Sequence, residues 1–122
     1  MLHHSTYKAE NNSKQWITFV HGAGGNSSIW FNQVRFFKAY FNILLIDLRG
    51  HGKSRLTGSQ IPEKHSFTSC VQDVAMTTKS IPVTSIVGHS WGGRMALQYA
   101  AKMPSDTLER VWLLDTVPGK GM

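Results

Sequence analysis

Three features predict an α/β fold, a mostly parallel sheet with helices on both faces. Trp16-Ile17-Thr18-Phe19-Val20 and Ile43-Leu44-Leu45-Ile46 are short continuous apolar runs, the pattern of strands covered on both faces. The segments between such runs carry apolar residues at helical spacing, and glycine or proline marks the joins. Strands alternating with helices give right-handed crossovers onto a parallel sheet.

In chain order, residues 2–8 suit a short edge strand, and Ala9-Glu10-Asn11-Asn12-Ser13 is polar enough to be the turn after it. The run ending at Val20 delivers a glycine-rich loop, His21-Gly22-Ala23-Gly24-Gly25. Asn26-Ser27-Ser28 then supplies capping side chains for a helix bearing Trp30, Val34, Phe36 and Phe37. The strand ending at Ile46 meets Asp47, and a polar, poorly patterned stretch through Ser66 reads as a long surface loop. Cys70, Val71, Val74 and Ala75 mark one face of a helix before Ile81-Pro82, and residues 83–87 form the next strand. Residues 94–103 predict a helix that stops at Pro104, with Ala96, Leu97, Ala100 and Ala101 as its apolar stripe. Residues 108–114 are a last strand, left through a turn at Asp115-Thr116-Val117-Pro118-Gly119. There is no internal repeat, linker or low-complexity stretch, so one domain is the economical organisation.

Composition excludes several classes. The 122 residues and 41% hydrophobic content suit one small domain with a real core. The 13 basic residues exceed the 7 acidic ones by six, yet they are scattered, which fits loose attraction to polyanions and no specific nucleic-acid function. Cys70 stands alone and cannot form an internal disulfide, and the first residues open no apolar signal region. We therefore expect a cytoplasmic protein. No apolar run approaches the roughly 20 residues of a membrane span, so no membrane association is expected.

The chemistry concentrates at Gly88-His89-Ser90-Trp91-Gly92, a G-x-S-x-G pattern behind a strand and ahead of a helix. A serine there rides a sharp turn with its hydroxyl exposed, and Gly88 and Gly92 flank it where a Cβ would crowd the close approach of helix and strand. Serine is a poor nucleophile at neutral pH. It needs a base, a carboxylate to orient that base, and N–H donors for the oxyanion. Ser90 is the candidate nucleophile, and the backbone N–H groups of Trp91 and Ala23 are the candidate oxyanion donors. Gly22 and its neighbours keep the loop small enough for a substrate oxygen to approach.

Three motifs in order, His21-Gly22-Ala23-Gly24-Gly25, Asp47-Leu48-Arg49-Gly50-His51-Gly52-Lys53-Ser54 and Gly88-His89-Ser90-Trp91-Gly92-Gly93, resemble the first part of an α/β-hydrolase fold enzyme. The resemblance covers almost the whole chain. It implies a serine hydrolase, or one of the lyases, dehalogenases or peroxidases on the same scaffold, and gives the second motif a structural role. Residues 1–122 are then expected to be the N-terminal part of a single domain, incomplete at its C-terminus. In such enzymes the acid and then the histidine follow the nucleophile, and no histidine follows His89 here. A minority take the acid from the strand after the elbow helix, which makes Asp115 a weak candidate; a carboxylate capping the following turn is the favoured role.

The remaining groups read as structural. His89 neighbours Ser90 on a strand, so its side chain points to the opposite face as a packed histidine. His21 belongs to the glycine loop, His51 to a surface loop, and His3, His4 and His65 to polar regions. None has metal-ligand spacing, Cys70 suits core packing, and neither metal nor cofactor is expected. Gly52-Lys53-Ser54 imitates a phosphate loop, but Asp47 stands where glycine is required. Gly22-Ala23-Gly24 imitates a dinucleotide fingerprint whose third glycine is Ser27. The expected partner is a small-molecule substrate, with Trp30 and Trp91 supplying apolar surface near its pocket. The competing expectation is a non-catalytic ligand- or partner-binding module that self-associates through its exposed last strand.

Overall fold

The computed structural model describes residues 2–22, 25–49, 51, 54, 67–102 and 108–114. Five strands form one sheet in the order β1-β3-β2-β4-β5: β1 (His4–Tyr7), β2 (Trp16–Val20), β3 (Asn42–Ile46), β4 (Val83–His89) and β5 (Arg110–Leu114). Strands β2 to β5 pair in parallel, and β1 runs antiparallel along the edge, setting His4 against Ile46 and Tyr7 against Ile43. A 3-10 turn (Ser27–Trp30) leads into α1 (Phe31–Phe37); α2 (Phe67–Thr77) precedes β4, and α3 (Trp91–Lys102) precedes β5.

The period-2 alternation of strand side chains divides the core into two layers. Val20, Leu44, Ile46 and Ile86 meet Cys70, Val71 and Val74 of α2 and Met95, Ala96 and Tyr99 of α3. On the other face Ile17, Phe19, Ile43 and Leu45 meet Trp30 and Val34. The two apolar runs are buried at every position, which explains their continuity in sequence. Each fully buried aliphatic side chain contributes about 1.5–3 kcal/mol.

Handedness assigns the helices to their faces. The β2–α1–β3 crossover moves toward β1, while β3–α2–β4 and β4–α3–β5 move the other way. Crossovers of one hand moving in opposite directions place their helices on opposite faces, as the two core layers require.

Local details follow from side-chain chemistry. Asn26 caps the 3-10 turn, its Oδ1 accepting the Ser28 N–H at 2.9 Å. Asn42 holds the turn after β1: its Oδ1 accepts the Ala9 N–H at 2.8 Å, and its Nδ2 donates to the Ser13 carbonyl at 2.7 Å. Arg49 forms a two-pronged pair with Asp73 of α2, at 2.7 and 2.8 Å, and this bond holds the guanidinium above its usual pKa.

Some expectations are corrected. Helix α3 starts at Trp91, three residues earlier than the periodicity suggested, and buries Met95, Ala96 and Tyr99; Ala101 is exposed and Leu97 and Ala100 are half-buried. Of the large residues expected on the helix after Ser28, Phe36 is 63% exposed, and Trp30 falls in the 3-10 turn before α1. Strand β4 runs on to His89, and β5 begins at Arg110. Met103, Pro104, the loop residues 55–66 and the turn at Asp115 lie outside the described residues.

Candidate functional site

Topology locates the site before any motif does. The loop leaving β2 turns toward α1 on one face, and the chain leaving β4 turns into α3 on the other. A crevice opens between two parallel strands whose connections diverge in this way, outside their carboxyl ends, and that is where open α/β sheets bind ligands. The sequence places His21 and Gly22 at one wall of that crevice and Ser90 at the other.

Ser90 is exposed and has φ of 56°, a left-handed conformation that costs a non-glycine residue about 1–2 kcal/mol. The surroundings hold it there. Its N–H donates to the Leu114 carbonyl at the end of β5 (2.9 Å), and its own carbonyl accepts the Gly93 N–H (2.9 Å) in the first turn of α3.

Three glycines make the approach possible. A Cβ on Gly88 would come within 2.6 Å of the backbone of Gly92 and Gly93, so the turn closes only without one. A Cβ on Gly92 would meet the Val20 carbonyl oxygen at 2.6 Å and the His21 carbonyl oxygen closer still, so α3 rests directly on the end of β2. At Gly22 a Cβ would stand 3.2 Å from the Ser90 Cβ and 3.1 Å from the His89 carbonyl oxygen. The glycine loop and the serine turn are therefore in mutual contact.

Ser90, Trp91, Gly22, Gly88 and Gly92 come together, Trp91 as the first residue of α3. Ala23 and Asp115 lie outside the described residues. Trp30 and Trp91 pack in different core layers. Trp30 packs on Phe19 beneath α1, whereas Trp91 packs against the layer of α2 and α3. Adjacent turns leading to opposite faces separate them.

Two histidines and a carboxylate, read as structural from sequence, stand at the base of the loop. His21 is wholly buried, with Nδ1 2.7 Å from the Gly22 carbonyl oxygen and Nε2 accepting the Leu48 N–H at 2.9 Å. Burial depresses its pKa, aided by His51, whose ring lies 5.1 Å away; the Gly22 carbonyl and Asp47 pull the other way. Asp47 is also buried and accepts the Ser27 N–H at 2.8 Å, tying the end of β3 to the segment after the glycine loop. The sequence signal for this cluster was His21 and Asp47 each following a buried strand; the bonds themselves cross strands and have no local signature. Cys70 lies on the buried face of α2, and burial raises its thiol pKa. Among the described residues no three His, Cys, Asp or Glu side chains gather as a metal site, and no helix is long and apolar enough to cross a membrane.

A mostly parallel α/β sheet with a strained serine turn at its switch point defines a structural class, open α/β sheets whose crevice lies outside the carboxyl ends of the strands. Within that class the chain belongs to the α/β hydrolase fold family, whose model matches residues 15–120. It is 34% identical over 105 residues to a bifunctional esterase/perhydrolase of Acinetobacter calcoaceticus, covering 84% of this chain and 37% of that protein. It is 35% identical over 120 residues to protein phosphatase methylesterase 1 of Candida albicans, covering 92% and 32%. A solved esterase from a marine microorganism superposes with a TM-score of 0.79 at 30% identity, over 97% of this chain and 42% of that one. The chain thus spans about a third of the length of these two curated relatives.

Proposed function

We propose that this chain is the nucleophile-bearing, N-terminal part of a single-domain hydrolase that cleaves an ester-like or other small carbonyl substrate through an acyl-enzyme on Ser90. The observation that carries the proposal is the exposed serine at φ 56°, with the backbone of Gly22 against its Cβ. In this reading the hydroxyl attacks the carbonyl carbon, and the N–H groups of Trp91 and Ala23 receive the charge that develops on the carbonyl oxygen. The histidine that takes the serine proton, and the carboxylate that orients it, come from the rest of the protein. The esterase names of its relatives support the substrate class. The compartment we propose is the cytoplasm, in keeping with a lone buried thiol.

The test is covalent labelling of the full-length protein with a serine-directed phosphonate. Wild type should label at Ser90 and Ser90→Ala should not; equal labelling of both would defeat the proposal. Turnover should fall by several orders of magnitude in Ser90→Ala, as for any nucleophile of such a triad.

One observation favours a second reading, a non-catalytic module that associates with its own kind. Trp112 and Leu114 of β5, at the end of the described sheet, are 55% and 43% exposed. Concentration-dependent oligomers without phosphonate labelling would select it.

A further inference from the structure

The end of the sheet remote from Ser90 holds a second concave feature. Trp16 opens β2, Asn42 opens β3 and Pro82 precedes β4, so all three stand at the amino ends of parallel strands. With residues 8–14, which connect β1 to β2, they line a cavity of about 500 Å³. Small-molecule pockets span about 300–1,000 Å³. One buried side chain pins the connecting loop. Asn42, 6% exposed, accepts the Ala9 N–H at 2.8 Å and donates to the Ser13 carbonyl at 2.7 Å, while its own main-chain N–H donates to the Gln15 carbonyl at 2.9 Å. Within the loop the Asn11 and Ser13 side chains accept the Ser13 and Gln15 N–H groups at 3.0 and 3.1 Å. Asn12 takes φ of 62°, the left-handed conformation that asparagine tolerates better than most residues.

The chemistry of the cavity is one-sided. Lys8 and Lys14 stand exposed on its wall, and no carboxylate is among the described residues that line it. Lys8 Nζ lies 5.0 Å from the centre of the Trp16 ring, a cation–π contact that holds the ammonium beside the cavity. Glu10, the acid of the same loop, turns to Lys38 at 3.8 Å, and neither Lys8 nor Lys14 forms an ion pair among the described residues. Two cations on a concave wall concentrate positive potential inside it. Asn42 adds a neutral donor. Its amide nitrogen carries two hydrogens and Ser13 accepts one, which leaves the other for an occupant.

We propose that this cavity binds a small organic phosphate monoester: Lys8 and Lys14 neutralise the phosphate, the Asn42 amide donates to it, and Trp16 and Pro82 support the organic part. Lysine favours phosphate over carboxylate here, because an ammonium is a compact point charge, whereas the planar carboxylate is matched by the arginine fork. The site lies at the opposite end of the strands from Ser90 and does not depend on the role of that residue.

The test titrates the full-length protein with phenyl phosphate by calorimetry, with the indole N–H resonances followed by NMR. A single site should appear, unchanged in Ser90→Ala, and binding should shift the Trp16 resonance and not that of Trp91. Lys8→Met and Lys14→Met should each weaken binding about tenfold, the loss of one charge-assisted contact. Arg35→Met removes an exposed cation of α1 outside the cavity and should change affinity by less than about twofold. Phenylacetate should bind about tenfold more weakly than phenyl phosphate. No binding at millimolar phenyl phosphate, equal losses in Arg35→Met and the lysine variants, or a shift at Trp91 without one at Trp16 would overturn the site. Equal affinity for phenylacetate would overturn its assignment to phosphate.

Discussion

Gly92→Ala offers the sharpest check on how the serine turn is built. In an ordinary helix this exchange stabilises by about 1 kcal/mol, because glycine loses more backbone freedom than alanine. Here the new methyl would stand 2.6 Å from the Val20 carbonyl oxygen and nearer to that of His21, both main-chain atoms. An ordinary contact begins at 3.4 Å, so relieving the Val20 contact alone would part α3 and the end of β2 by about 0.8 Å, the difference of the two distances, and the nearer His21 carbonyl requires more. Overpacking of this kind costs about 1–3 kcal/mol, and a rigid backbone neighbour places it at the upper end. Set against the propensity gain, the net loss should be about 2 kcal/mol. Urea unfolding of the full-length protein measures it, with Ala101→Gly on the exposed face of the same helix as the propensity control, expected to lose about 1 kcal/mol. A Gly92→Ala protein as stable as wild type or more so would refute the claim that α3 rests on the backbone of β2. Turnover should fall more than stability, because the shift also moves the Trp91 N–H.

Other expectations follow from the same geometry. Ser90→Gly relieves the left-handed strain and should raise stability by about 1 kcal/mol while removing the proposed nucleophile; thermal unfolding beside phosphonate labelling reads both. Asp73→Asn leaves Arg49 without its carboxylate in a largely buried pair and should cost about 1–3 kcal/mol in urea unfolding, with no change in m. His21 is held below its ordinary pKa of 6.5, so the unfolded chain binds the extra proton first as pH falls. Its contribution is therefore complete above about pH 6.5 and is lost below it, by at most about 1.4 kcal/mol per pH unit. His21→Asn should flatten that acid limb of stability, and an unchanged slope would assign the limb to other groups.

The strands β2 and β3 and the strand–turn–helix at Ser90 were legible because each is a local pattern: an unbroken apolar run, or glycines flanking a serine. The face of α3 was misjudged for an instructive reason. Its residues are mostly small, so Ala96, Leu97, Ala100 and Ala101 make as good a stripe as any on composition, yet of these four only Ala96 is buried. The phase is set by the contact of Gly92 with β2, and residues 92, 95, 96 and 99 follow from it at helical spacing. Read as a contact and not only as a turn residue, that glycine fixes the helix. The tryptophans failed similarly. Trp30 and Trp91 each follow a loop near the site, but the loops diverge at the switch point, and no local signal says to which face each turns. The two bonds of His21 join β2 to the segment after β3, 27 residues away, and only the folded chain brings them together.

The elbow also depends on the far end of the sheet. Ser90 hangs by its N–H from the Leu114 carbonyl, the last residue of β5, and β5 pairs with β4 alone among the described strands. On the face shared with α1, Phe19, Val87, Trp112 and Leu114 line an apolar groove of about 400 Å³, while α3 covers only the opposite face. Any strand added beyond β5 by a right-handed crossover would bring its helix to the α3 face, so it would protect the edge without filling the groove. Any local opening of β5 would release the bond that holds Ser90 in its strained conformation. The serine geometry is thus coupled to the pairing of β5 with β4, one strand away from the turn that bears the serine.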